Sequence, residues 1–486
     1  MTTTSSSPAP ELPVCLTRDK LTSAWFPSIG KPALHAIIAL ALIFALVSFN
    51  RLNHTDLWGH LNFGRWIVEH RELPSADPFA AQPNARPLWH GAWLAQVAAY
   101  VVQQTCGNEG LVLGHALLVT ATAGALMLAV VRRGVPAGWA WVAGAALFVL
   151  NLPMGGTTGP QLFGQLGAAL FLLACAELPA RRHPLVWLPL VAACWANLHG
   201  SILIGLGILL AFAVGTSWNL WIEQGRREPG RGLSRAVADI RLARCWLACA
   251  LAVAGSCLNP HGPFLLLETF TCGDIRMLAW LAVVGPWIAI PHAAAAWRAY
   301  CPAGHLAAPI ADRPAAMNTV LAMGVVWMTA LIAPPSYALV SGRPRGEGPI
   351  VVADAPIYVA DEMARRGLEG KIAAPPDWAD YLVWKTDGRL RPLDFSHGHL
   401  TDRKTWHDYA TLARGERAWL EVLRAHQMRY VLVSRNRSPE LVRRITAEQR
   451  SARPAVRIIY QDQRCLLAEL SADFKPPPIP GRLVER

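Results

Sequence analysis

The sequence predicts a polytopic α-helical membrane protein of about nine spans with a small C-terminal α/β domain. Three observations carry that prediction. Only 16% of the 486 residues are charged and 53% are hydrophobic, whereas a soluble chain carries about 25% charged residues. Apolar runs of roughly 17–25 residues, the length that crosses a bilayer, recur along residues 33–340. The connections between them alternate between Arg-rich and Arg-free, which separates cytoplasmic from external loops.

The first residues, 1–32, are rich in Ser, Thr and Pro and read as a disordered cytoplasmic tail without a cleavable signal peptide. The run from Ala33 to Phe49 suits an uncleaved signal anchor. It and the later runs centre near residues 41, 121, 144, 169, 190, 211, 251, 286 and 326; the fifth is short, and the eighth holds Pro286 and Pro291. Basic residues precede the first run (Arg18, Lys20, Lys31) and then mark every second connection. These are Arg132 and Arg133; Arg181 and Arg182; the group Arg226, Arg227, Arg231, Arg235, Arg241 and Arg244; and Arg298 with Arg313. The connections near residues 151–160 and 197–201 contain no Lys or Arg. This pattern predicts a cytoplasmic N-terminus and an external C-terminus. The net charge of +12 is thereby largely a topology signal, and no nucleic-acid partner is expected. Ten cysteines are scattered, mostly within apolar runs (Cys175, Cys194, Cys245, Cys249, Cys257), and read as small apolar residues.

Two soluble parts are expected outside. One is the loop over residues 51–110. The other is a domain over 341–486, entered through the Pro/Gly-rich connector "SGRPRGEGP". Its β-like runs "KIAAP", "YVLVSR", "RIIYQD" and "RCLLAEL" alternate with helical stretches such as "TWHDYATLARGERAWLEVLRAH". It shows no Gly-rich phosphate loop and no nucleophile elbow, so catalysis is not placed there.

Polar chemistry collects instead in three clusters that this topology puts at one membrane face. The first is "HTDLWGHLNFGRWIVEH". Thr55 can cap a helix beginning at Asp56, with Asp56 and His60 at i and i+4 on one face and Phe63 continuing it. Trp58 and Trp66 suit headgroup depth. The same loop supplies Asp77 and His90, a Trp89/Trp93 pair, and a second short helix starting near His90. The second cluster is "WANLHGS", with Asn197 and His199; the third is "LNPHG", with Asn259, Pro260 and His261. Each has a plainer alternative. Asp56 is stabilised by the helix dipole whatever else it does, and His199 and His261 can satisfy backbone groups freed at helix ends. His115, alone in mid-span, reads as packing.

"DLWGHLNFGRWIVEHRELPSADPF" after a signal-anchor span, followed by "LWHGAWLAQ", resembles the first external loop of bacterial C-type (GT-C) membrane glycosyltransferases, in the mannosyltransferase-like branch that uses lipid-linked sugars. "WANLHGSILIG", "LNPHGPF" and the C-terminal "PPDWADYLVW" and "RYVLVSR" extend the likeness over most of residues 33–470. The resemblance implies amphipathic helices on the outer membrane surface between the first two spans. It implies a bacterial inner-membrane location with a periplasmic C-terminal domain, and inverting transfer from a polyprenyl-phosphate sugar to a glycan, lipid or protein acceptor. It carries a catalytic acidic residue onto Asp56, which would take the acceptor's proton. His60 and Asp77 then stand as its supports or as contacts to a divalent metal, the one cofactor left open. Arg65, His90, Asn197, His199, Asn259 and His261 are the substrate-binding candidates, with cations or N–H donors needed at the leaving phosphate. Two positions depart from the family pattern: Gly159 stands before "PQ" where an Arg is common, and Asp394 lacks the Arg that often follows it. The alternative is a non-catalytic membrane scaffold or assembly subunit on the same fold.

Overall fold

A computed structural model of the chain describes residues 28–52, 56–81, 91–152, 158–227, 237–266, 277–300, 315–351, 354–395 and 403–471. In chain order the first helices are α1 (Lys31–Ser48), α2 (Asp56–His70), α3 (Trp93–Arg132), α4 (Gly138–Asn151), α5 (Gln161–Glu177), α6 (Pro184–Leu198), α7 (Ile202–Arg227), α8 (Ile240–Ser256), α9 (Met277–Tyr300) and α10 (Ala316–Ile332). All but α2 fall on the apolar runs. α3 is broken at Gly107 (φ 63°, ψ −161°), so a short leading helix over 93–106 precedes the buried part.

Length decides which helices can cross alone. Among the described residues, α1, α3, α7 and α9 are long and apolar enough, and α10 makes a fifth if taken with α11 (Pro334–Ser341), bent from it by 75°. The apolar helices α4, α5 and α6 have 14, 17 and 15 residues. They rise about 21–26 Å, short of the roughly 30 Å hydrocarbon core. Apolar side chains on the outer helices face outward, as in α10, where Met323 is 66% and Trp327 67% exposed. That surface suits lipid, and the chain is a helical membrane protein by this measure.

The two ends of the bundle differ chemically. At one end the buried carboxylate of Glu177, closing α5, is met by Arg132 at 3.0 Å, Arg181 at 3.6 Å and His183 at 3.2 Å. Arg244 donates to the Pro179 carbonyl at 3.3 Å, and Ile29 pairs with Ala315. The basic connections thus gather at one end around an acidic centre. The other end carries the first loop, the turns after α6 and α8, and the C-terminal residues.

Those C-terminal residues form α12 (Glu347–Ile350), α13 (Ile357–Arg365), β1 (Gly370–Ala373), α14 (Pro376–Lys385), β2 (Leu390–Pro392), α15 (Arg403–Ala413), α16 (Trp419–Ala425), β3 (Tyr430–Ser434), α17 (Pro439–Glu448), β4 (Val456–Gln461) and β5 (Cys465–Leu470). The sheet order is β2-β1-β3-β5-β4. β1 runs parallel to β2 and β3, and β5 is antiparallel to β3 and β4. The stretch read as continuous helix is two helices, split at Gly415 (φ 64°).

The sheet domain and the bundle share one core. Leu57, Trp58 and Leu61 of α2 and Leu111 and Val112 of α3 pack with Met363, Ile372, Trp378 and Tyr381. This corrects the expectation that α2 lies on the membrane with Trp58 at headgroup depth. Trp58 is 3% exposed, edge-on to Tyr381 at 4.9 Å. Protein, not lipid, covers the apolar face. The physical reason is that an amphipathic stripe has the same sequence pattern whether a membrane or a neighbouring domain covers it.

Candidate active site

α2 packs on the leading part of α3 through His60 and Gly64. Asp56 is its first residue and is half-buried, where the N-terminal dipole favours an ionised carboxylate. His60 lies one turn further on, its Nδ1 3.3 Å from Gln96 Nε2 of α3. The two helices touch so closely that a Cβ on Gly64 would stand 2.1 Å from the Gln96 carbonyl oxygen. Thr55 and His90 lie outside the described residues.

From α3 the contacts run directly to the other two clusters. Trp93, one turn before Gln96, donates its indole N–H to Asn197 Oδ1 at 2.7 Å. Asn197 Nδ2 in turn donates to the carbonyls of Ala193 at 2.8 Å and Leu258 at 2.7 Å. Leu258 immediately precedes Asn259. A Cβ on Gly91 would stand 3.2 Å from Gly200 Cα and 3.5 Å from the Leu265 side chain. These contacts link the start of α3, which His60 touches, to the end of α6 before "HG" and to the residue before "NPHG". Asn197 is the joint.

Each histidine sits on a shaped turn. His199 ends α6 in an extended conformation (φ −162°, ψ 134°), with Ser201 Oγ 2.6 Å from its Nδ1. Asn259 builds the other turn: its Oδ1 accepts the His261 N–H at 2.8 Å, and its Nδ2 donates to the carbonyls of Ser256 and Gly262. Asn259 thus acts through the backbone. Burial pushes the His261 imidazole below the ordinary histidine range. A Cβ on Gly164 of α5 would stand 2.7 Å from Ser201 Oγ, 3.0 Å from Trp280 and 3.2 Å from His199 Nδ1. Gly164→Ala should displace this group at a stability cost of about 1–3 kcal/mol. Thermal unfolding in detergent reads that cost, and an unchanged midpoint would show that the site can relax around a methyl group.

Other candidates are engaged elsewhere. Arg65 donates to Asp387 at 2.8 Å, and its guanidinium stands 5.1 Å from the Trp384 ring. Asn62, one turn earlier, donates to the Asp380 carbonyl at 3.0 Å. This face of α2 therefore grips α14 and the turn after it. Asp77 accepts the Phe79 N–H at 2.9 Å, and Phe79 packs edge-on to Phe63 at 5.5 Å. Burial raises the Asp77 carboxyl above the usual range while the Phe79 and Ala80 N–H groups offset part of the rise. Its visible task is to hold the loop against α2 at Phe63, which lies about 10 Å along the helix from Asp56 by rise per residue. Asp394 is 2% exposed and accepts the Phe395 N–H. Thr158, beside Gly159, bonds the buried His115 at 3.1 Å. That bond gives His115 a partner in addition to its packing.

Among the described residues no group of three or more His, Cys, Asp and Glu side chains is arranged to hold a metal ion, and no step is assigned to one. The sequence alone does not single out Gln96 or Ser201, and it shows Trp93 only as one of a Trp pair. Their usable signal was local: Trp93 and Gln96 are i and i+3 on a helix expected near His90, and Ser201 follows His199 by two.

The sequence matches no protein-family model and no curated protein. Solved structures similar in shape include two of the Archaeoglobus fulgidus oligosaccharyltransferase. The apo form aligns with a TM-score of 0.46 at 10% identity, over 82% of this chain and 69% of that one. The form tethered by a disulfide to an acceptor peptide containing the NVT sequon aligns with a TM-score of 0.48 at 11% identity, over the same shares.

Proposed function

We propose that this protein is an inverting glycosyltransferase of the GT-C type. It moves a sugar from a polyprenyl-phosphate donor to a glycan, lipid or protein acceptor of the cell envelope. The observation that supports this reading most is the Trp93–Asn197–Leu258 linkage, which ties the loop bearing Asp56 to both histidine turns. In the proposed topology the chain crosses the bacterial inner membrane nine times, with its N-terminus in the cytoplasm. The polar end and the C-terminal domain face the periplasm.

Asp56 is the base in this scheme. It takes the acceptor hydroxyl's proton as the oxygen attacks the anomeric carbon. The bond from that carbon to the phosphate oxygen breaks in the same displacement, and polyprenyl phosphate leaves as an anion. His60, bonded to Gln96, supports Asp56 from the next turn, and Asp77 holds the loop. His199 and His261 stand by the leaving group, where N–H donors aimed at developing charge stabilise it. Arg65 acts on substrate only through the docking of α14.

The test is donor turnover by the purified full chain in nanodiscs, offered a panel of polyprenyl-phosphate sugars and envelope extracts as acceptors. Sugar-dependent release of polyprenyl phosphate, followed by mass spectrometry, is the expected result. No turnover with any donor would favour the scaffold reading, to which Gly159 and the Asp387-bound Arg65 already lend weight.

A further inference from the structure

We infer that Trp195 and Ser201 hold His199 as a neutral imidazole protonated on Nε2. His199 therefore meets its ligand as a hydrogen-bond donor to an oxygen, neither as a cation nor as a base. The assignment follows from the partners of Nδ1. An indole N–H can only donate, and Trp195 Nε1 donates to Ser201 Oγ at 3.1 Å. Ser201 is then free to direct its own O–H at His199 Nδ1, 2.6 Å away. The Ser201 backbone N–H also points at Nδ1, at 3.3 Å. Two donors converging on one ring nitrogen make it the lone-pair nitrogen, and the proton belongs on the other. A proton on Nδ1 would face the Ser201 N–H directly.

The device is built into the packing. Trp195 is 2% exposed and lies edge-on to Phe171 at 5.2 Å. A Cβ on Gly167 of α5 or on Gly205 of α7 would stand 2.5 Å from its indole. The ring is thus fixed between two helices, and its N–H is fixed with it. His199 and Ser201 flank the break between α6 and α7, so the short sequence distance sets the imidazole against the hydroxyl. Ser201 is a positioning residue in this scheme. The inference rests on the glycosyltransferase reading only for the ligand, an oxygen of the lipid-linked sugar.

The experiment reads the tautomer without turnover. The full chain, labelled with 15N-histidine in nanodiscs, gives a His199 signal assigned by its loss in His199→Gln. Wild type is expected to show an unprotonated Nδ1 and a protonated Nε2. Ser201→Ala keeps the backbone N–H at Nδ1 but loses the hydroxyl donor, so the Nδ1 resonance should move toward that of a less strongly hydrogen-bonded lone-pair nitrogen, and Ser201→Thr should restore the wild-type signal. An imidazolium or an Nδ1-protonated ring in the wild type, or no change in Ser201→Ala, overturns the inference. Adding polyprenyl phosphate, or the same lipid bearing its sugar, then separates the two oxygen sources. A shift of Nε2 with the bare lipid identifies a phosphate oxygen; a shift only with the glycosylated lipid identifies a sugar oxygen; no shift with either removes the donor role. Where transfer is measurable, Ser201→Ala should lower kcat about tenfold, the worth of one hydrogen bond, with Thr rescuing it. Because the tautomer is read without donor, its failure and the failure of sugar transfer are separate results.

Discussion

Asp56→Asn is expected to abolish sugar transfer, with kcat falling by about 10²–10⁴-fold, the range that a positioned base contributes. Asn keeps the size of the side chain and is tolerated at a helix start. What it loses is the proton-accepting oxygen pair. Removing the charge also forfeits the dipole interaction, about 0.3–1 kcal/mol, too little to unfold the chain. Expression, membrane insertion and donor KM should therefore stay near wild type while kcat collapses. The measurement is initial-rate kinetics on purified protein alongside thermal unfolding of both forms. Full activity in Asp56→Asn would remove Asp56 as the base.

Arg345→Ala should be the most destabilising single change at the junction between bundle and sheet domain. Glu109 lies just past the break in α3, with its side chain 1% exposed. Arg345 of the connector meets it three times: backbone N–H at 3.1 Å, Nε at 2.7 Å and Nη2 at 2.6 Å. Truncating the arginine strands a buried carboxylate, at a cost of about 3–5 kcal/mol. Substituting apolar residues at both positions should cost far less, because no charge is then left unpaired. The midpoint of thermal unfolding and protease cleavage within the connector both report the loss. A midpoint within error of wild type for Arg345→Ala would show that water reaches Glu109 and that the pair does not hold the junction.

Much of this architecture was legible in the sequence because its causes are local. Apolar runs placed the helices, and two of the Arg-bearing connections meet at Glu177 through Arg132 and Arg181. β3 and β4 coincide with runs of β-branched and aromatic residues, and β1 and β5 fall within the short apolar runs "KIAAP" and "RCLLAEL". β2 did not stand out, being three residues long and ending in Pro392 at the sheet edge, where a missing N–H is tolerated. Long-range pairing was not legible. Nothing near Arg65 announces Asp387, 322 residues away, and a cation on a helix surface looks the same whether it awaits a phosphate or a carboxylate. Trp58 was misplaced for a related reason, since its stripe fits a membrane or a domain equally. The clusters themselves were readable as polar breaks in apolar sequence, but the bonds that join them cross 36, 104 and 61 residues of sequence.

The central claim is that the α2 start, the "NLHG" turn and the "NPHG" turn enclose one ligand. A structure of the full chain in nanodiscs with a polyprenyl-phosphate sugar bound tests it most directly. The anomeric carbon is expected beside the Asp56 carboxylate, the phosphate within hydrogen-bond reach of His199 or His261, and the lipid tail leaving into the bilayer at this end. A lipid bound at the basic end around Glu177, or Asp56 standing more than about 15 Å from both histidines and so far beyond hydrogen-bond reach, would contradict it.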